Sequence, residues 1–195
     1  MTKSFATSEL KAGSLYNHFL IAMPGLEDSS FAHTVTYICE HTDKGAMGIV
    51  INNAMPLSLG DVFMQMELID HAGIGSQMIY AGGPVQIERG FVLHSPTAEK
   101  WQSTLEISPQ LNLTASSDII EALAEGRGPE HYLIALGYAG WGAGQLEAEV
   151  SANSWLTLPA DSNIIFHTPA EQRWAAAAQP LGIDLNLISS VAGHA

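Results

Sequence analysis

Two stretches of this 195-residue chain carry residue types that could do chemistry. The first is Gly137-Tyr138-Ala139-Gly140-Trp141-Gly142-Ala143-Gly144, placed between a predicted strand and a predicted helix. A glycine-rich turn in that position can cradle phosphate with its backbone N–H groups. Gly137 and Gly142 have the first two positions of P-loop spacing, but Ala143 stands where the lysine must be and no Ser or Thr follows. Glu147 occupies the last glycine of the dinucleotide pattern, and with Glu149 it would repel a phosphate. The competing reading is a tight turn whose glycines let Trp141 pack beneath a close backbone. The second stretch is His33…Cys39-Glu40-His41. On a regular strand His33, Cys39 and His41 face one way. Cys39 and His41 would then lie about 7 Å apart, a span one metal ion can bridge. Further ligands would have to come from elsewhere, His18 or His94 for example. Cysteine is among the most buried residue types, so Cys39 filling core space is the plainer reading.

Hydrolase chemistry finds no purchase: there is no G-x-S-x-G and no H-E-x-x-H. The eight histidines are dispersed, and His94-Ser95 forms no recognisable triad spacing. No catalytic set and no cofactor is expected. Cys39 and His41 are the weak metal candidates. What remains is a binding surface. Asn52 (with Asn53), Gly82, Gly83, Pro84, Trp141 and Gln145 read as turn or loop residues, and loops carry function more often than cores do. Trp141 would anchor a partner if exposed; as a tryptophan it is more often buried.

These residues must be held by a scaffold. His18–Met23 reads as a strand closed by Pro24-Gly25. Thr34–His41 and Ala46–Ile51 read as a hairpin around Asp43-Lys44-Gly45. Their near-continuous apolar run implies burial on both faces. Ser58-Leu59-Gly60-Asp61 starts a helix with a Ser cap and an acid three residues on. Strands are predicted at 78–81, 89–94, 105–108, 131–138, 155–158 and 163–167, and helices at 118–125 and 145–153. Thr168-Pro169-Ala170-Glu171 opens a last long helix, with Thr168 as its cap. Helices and strands do not alternate strictly, which favours α+β with a mixed sheet over a doubly wound fold. A length of 195 fits one compact domain, with residues 1–13 as a loosely ordered N-terminal segment.

Charge excludes more than motifs do. Seven Lys and Arg face twenty Asp and Glu, a formal net charge of −13. The basic residues Lys3, Lys11, Lys44, Arg89, Lys100, Arg127 and Arg173 are never closer than eight positions. A nucleic-acid or anionic-membrane binder needs a local cluster of positive charge. The best pair of adjacent helices for a helix-turn-helix, 170–180 and 184–190, carries Arg173 as its one basic side chain. Direct nucleic-acid binding is therefore not expected, and an unidentified protein partner is. The oligomeric state is open. No apolar run approaches the roughly 20 residues that span a bilayer. Glu9 and Lys11 interrupt the place of a signal-peptide core, so cytoplasm is the expected compartment.

Several segments together resemble one family: HFLIAMPGLEDSSF at 18–31, TYICEHTDKGAMGIVINN at 36–53, AGGPV at 81–85, RGFVLH at 89–94, GYAGWGAGQLEAEV at 137–150, NSWL at 153–156 and the IF…RW pair within 165–174. Their order and spacing are similar to those of the bacterial YqgE/AlgH family across nearly all of 14–182. One departure is Asn53-Ala54-Met55-Pro56, which lacks a basic residue before the proline. The resemblance implies a single-domain α+β fold with a strongly coiled sheet flanked by helices. Some members carry a transcriptional-regulator label, which the acidic charge balance argues should not mean direct DNA contact. The resemblance implies no reaction, cofactor or catalytic residue. A small-ligand or enzymatic role for Gly137–Gln145 is a further alternative.

Overall fold

Strand β1 (His18–Ala22) alternates Phe19 and Ile21 with Leu20 and Ala22, and all four are buried. Phe19 and Ile21 join one apolar cluster, Leu20 and Ala22 another. Successive side chains point to opposite faces of a strand, so β1 is covered on both sides. The computed structural model in which this is seen describes residues 13–26, 28–185 and 187–188. The segment expected to be loosely ordered lies, apart from Gly13, outside the described residues, as does part of the helix expected at 184–190.

β2 (Val35–Thr42) and β3 (Gly45–Val50) form the predicted hairpin. β4 (Ala54–Ser58) leads into α1 (Leu59–Gln65) and β5 (Met78–Ala81). β6 (Val85–His94), β7 (Thr104–Ser108) and β8 (Leu111–Thr114) precede α2 (Asp118–Ala124). β9 (Tyr132–Gly142) and α3 (Gln145–Ser151) follow, then β10 (Trp155–Pro159), α4 (Ser162–Phe166) and α5 (Ala170–Ala178). The strands form one sheet in the order β10-β1-β2-β3-β9-β6-β8-β7, with β4 and β5 as a branch that joins at β9. All pairings are antiparallel except β5 with β9. The fold is α+β with a mixed, curled sheet and flanking helices, as the sequence indicates.

β9 is the spine. One edge carries β3 and β5, the other β6. Helix α5 places Trp174, Ala177 and Ala178 against Phe19, Tyr37 and Ile49 on one face. Leu146 of α3 packs with Leu20, Ile38 and Trp155 on the other. α1 and α2 supply Leu59, Phe63, Ile119 and Leu123 to a third cluster with Ile79 and Ile134. α1 starts as predicted: the Ser58 hydroxyl accepts from Asp61 N–H and Asp61 accepts from Ser58 N–H, closing a capping box.

Three expectations are corrected. The glycine-rich stretch is strand, since β9 runs through Gly142 and pairs Ala139–Gly142 with Gly45–Gly48. Most of 163–167 is helical, within Ser162–Phe166: Asp161 caps the Asn163 N–H at 2.8 Å, and a single turn drops Ile165 into the core. Thr168 does not cap α5; its hydroxyl points back to Asn163 O, 3.4 Å away, and Pro169 occupies the cap.

Candidate functional site

The polar groups around Trp141 form a closed network. Trp141 is 7% exposed, so the anchor considered from sequence is buried. Its Nε1–H donates to Glu149 Oε2 at 2.9 Å, and Trp155 Nε1–H donates to the same oxygen at 2.9 Å. Gln145 Nε2 donates to Glu149 Oε1 at 2.9 Å, while Gln145 Oε1 accepts from Gly142 N–H at 3.0 Å. Phe31 packs on both indoles, with centroids 6.2 and 5.5 Å away. One carboxylate on α3 thus ties two sheet tryptophans to the helix. A phosphate would meet Glu147 and Glu149 here, and the stretch is no open loop: Ala139–Gly142 pair with β3 and the Gly142 N–H is taken by Gln145 Oε1.

The glycine pairs have an equally structural cause. Between β5 and β6 the chain crosses the backbone of β9. A Cβ on Gly82 would lie 2.4 Å from Gly137 O, and one on Gly83, whose φ is +152°, 2.1 Å from Tyr138 C. Gly82 N–H donates to Leu136 O at 2.7 Å and its carbonyl accepts from Val50 N–H at 2.8 Å. Pro84 beside them is exposed. Asn52 is a staple: Oδ1 accepts from Val35 N–H at 2.8 Å and Nδ2 donates to His33 O at 2.9 Å. Asn52, Gly82 and Gly83 therefore meet around one strand crossing, whereas Trp141 and Gln145 belong to the α3 network.

Cys39 and His41 do not face one way. The β2–β3 register shifts between Ile38 and Glu40, a bulge that leaves Cys39 unpaired and turns His41 to the other face. Cys39 sits in the cluster with Tyr37 and Ile49, 1% exposed, and burial pushes its thiol well above the usual range. His41 is opposite Ala46, on the α3 side. Its Nδ1 accepts from Leu15 N–H at 2.8 Å, which places the proton of the neutral ring on Nε2, 3.2 Å from Glu147 Oε1. His33 instead packs edge-on against Trp174, 4.6 Å between centroids. Among the described residues no three His, Cys, Asp or Glu side chains converge as a metal site would need.

His94 is fully buried. Its Nδ1 lies 2.8 Å from Ser95 O and must donate; its Nε2 lies 2.8 Å from Thr114 Oγ1, which is 2.8 Å from Thr104 Oγ1. Burial lowers its pKa, against the opposing Ser95 contact. The ring is locked in a structural chain and reaches no solvent.

Among the described residues the cations do not gather. Lys44 and Arg89 adjoin Gly45 and Gly90, which pair with Gly142 and Leu136 of β9, a separation of about 20 Å along that strand. Lys100 pairs with Glu106 at 2.5 Å, and Arg127 with both Glu99 and Glu125. Three carboxylates thus neutralise these two cations. Among the described residues no helix is long and apolar enough to cross a membrane.

Sequence reasoning missed one feature. A cavity of about 350 Å³ opens between β5, β9, α4 and α5, lined by residues that include Ser76, Gln77, Tyr80, Phe166 and Arg173. Arg173 is only 5% exposed, and its Nε–H donates to Thr168 O at 2.9 Å. Tyr132 also lines the cavity; burial, with Asp70 nearby, raises its phenol to about 12. The isolated Arg within the apolar face of α5 was the available signal, and periodicity alone does not show what it faces.

The AlgH-like family model matches residues 19–186. A UPF0301 protein of Saccharophagus degradans is 61% identical over 182 residues, covering 93% of this chain and 89% of that protein. The solution structure of the AlgH protein from Pseudomonas aeruginosa, 50% identical, superposes with a TM-score of 0.77 over 97% of this chain and 100% of that one. A crystal structure of a Corynebacterium diphtheriae protein, 19% identical, shares the fold with a TM-score of 0.69 over 92% of this chain and 93% of that one.

Proposed function

The chain belongs to the AlgH-like family, and from that premise we propose a non-catalytic cytoplasmic protein that acts in regulation through protein–protein contacts. The observation that carries this reading is the exposure of large apolar side chains on the β4–α1–β5 excursion. Met64 is 76% exposed, Ile69 70% and Met78 54%. Of the six exposed large apolar side chains among the described residues, three lie on this excursion, the others being Ile87, Leu181 and Leu187, and such exposure favours a protein contact. The groups that could do chemistry support the same reading, because they are engaged elsewhere. Cys39 is sealed in the core, His94 is locked between Ser95 and Thr114, and Glu149 holds two tryptophans. A regulatory effect on transcription would then run through a bound protein, since the exposed Lys100 and Arg127 are already paired with carboxylates.

The test is capture from native lysate on the immobilised chain, in parallel with a Met64→Glu/Ile69→Glu double variant whose far-UV circular dichroism matches wild type. A protein retained by the wild type and lost from the variant is expected. Retention of nothing, or equal retention by both, contradicts the reading.

A further inference from the structure

The cavity beside Arg173 is chemically unlike the rest of the molecule. Its volume of about 350 Å³ is that of a small-ligand pocket. Arg173 is the one buried Lys or Arg among the described residues. A guanidinium carries five N–H donors and a charge that cannot be shed. One donor on Nε goes to Thr168 O and one on Nη1 to Ile51 O, and the Tyr80 ring lies 5.0 Å from the guanidinium carbon. The remaining N–H groups, on Nη1 and Nη2, have no acceptor among the described residues. Among the described residues no carboxylate pairs with Arg173 either.

That pairing is anomalous for this chain. Buried charges are ordinarily paired, and twenty Asp and Glu were available to do it. Exposed Lys100 and Arg127 both have carboxylate partners, whereas the buried cation has two backbone carbonyls and a ring. None of the described residues lining the cavity is Asp or Glu. Ser76 and Gln77 add neutral hydrogen-bonding side chains, and Ile165, Phe166 and Tyr80 supply apolar and aromatic wall. A cavity whose described lining holds one cation without a carboxylate partner, no acid, and the aromatic side chains Tyr80 and Phe166 is complementary to an organic anion. The planar guanidinium matches carboxylate and phosphate oxygens alike.

We propose that this cavity binds a small organic oxyanion, a carboxylate or a phosphate monoester on an aromatic or apolar body, with Arg173 as the anion-binding residue. The anionic group takes the free N–H groups of Arg173, and the body lies against Tyr80 and Phe166. The site shares Met78 with the exposed apolar segment but neither Met64 nor Ile69, so the Met64→Glu/Ile69→Glu variant leaves its lining intact and the two readings are tested separately.

The test is an NMR titration of the ¹⁵N-labelled full chain with three probes: benzoate, phenyl phosphate and the neutral benzyl alcohol. Saturable shifts of amides at 76–80 and 132–134 with an anionic probe, and none with benzyl alcohol, are expected. The tighter of the two anions identifies carboxylate or phosphate as the preferred group; equal affinity assigns recognition to charge. Arg173→Gln should abolish binding. Because a buried arginine can be needed for folding, Ser76→Trp at the exposed rim provides a second variant, and it should weaken binding by at least about tenfold. The proposal is overturned by no saturable response to either anion at about 10 mM, by an equal response to benzyl alcohol, or by affinity unchanged in Ser76→Trp.

Discussion

Replacing Glu149 with alanine removes the shared acceptor of two tryptophans. Both indole N–H groups point at Glu149 Oε2 from 2.9 Å, and their residues are only 7% and 4% exposed. An orphaned buried donor costs about 1–3 kcal/mol, so two put the loss near 4 kcal/mol. Gln145 is exposed and can return its amide to water. For a chain of this length each kcal/mol is about 2–4 °C of melting temperature, which predicts a fall of roughly 8–16 °C. Glu149→Gln keeps one oxygen for the indoles but sets its amide against that of Gln145, and should lose about 1–2 kcal/mol. Urea unfolding followed by tryptophan fluorescence reads both. The sharper assay is the cycle with Trp155→Phe, which deletes one donor beforehand. In that background Glu149→Ala should lose about 1–2 kcal/mol less. Additive losses, or a Glu149→Ala variant within about 1 kcal/mol of wild type, would refute the view that this carboxylate fastens α3 to the sheet.

His94 gives a pH dependence with a definite sign. Its folded pKa is depressed by burial below the ordinary 6.5. The unfolded chain therefore takes up the proton first, and stability falls as pH drops below about 6.5, by at most about 1.4 kcal/mol per pH unit. Denaturation midpoints between pH 5 and 8 should show this component in wild type and lack it in His94→Gln. The glycines supply a matched pair. Gly83→Ala would press a Cβ to 2.1 Å from the β9 backbone at a φ of +152° and should cost more than about 3 kcal/mol or prevent folding. Gly90→Ala meets nothing within 4 Å and should stay within about 0.5 kcal/mol of wild type by the same unfolding assay.

Elements with strong local signals were legible from the sequence. The β2–β3 hairpin follows from its β-branched runs around Asp43-Lys44, and α1 from a capping box that the structure contains. Where a local preference met a tertiary demand, the sequence misled. Glycines in β9 looked like a loop, yet they are there because β3 and the Gly82-Gly83 crossing lie against that strand. The Ile164-Ile165-Phe166 run looked like a strand, but Asp161 turns it into a helix whose Ile165 fills the core. β4 contains Pro56, which demotes a strand by any sequence rule, and the four residues of β8 are too few to show a period. The bulge at Cys39 is invisible to periodicity because it changes parity by one residue. The Arg173 cavity was hidden for another reason: a single cation in a helix does not reveal that its partner is missing. The family resemblance, by contrast, rested on motif order across most of the chain, and the match to residues 19–186 agrees with it.

Acting through proteins rather than nucleic acid requires that the cations of this chain cannot grip a polyphosphate. Fluorescence anisotropy of a labelled genomic DNA fragment, titrated with the purified chain at about 50 and about 150 mM salt, measures this most directly. No saturable binding at the higher salt is predicted, because Lys100 and Arg127 are paired with Glu106, Glu99 and Glu125 and Arg173 is buried. Saturable binding that survives at about 150 mM salt would contradict it and make the chain a direct reader of DNA.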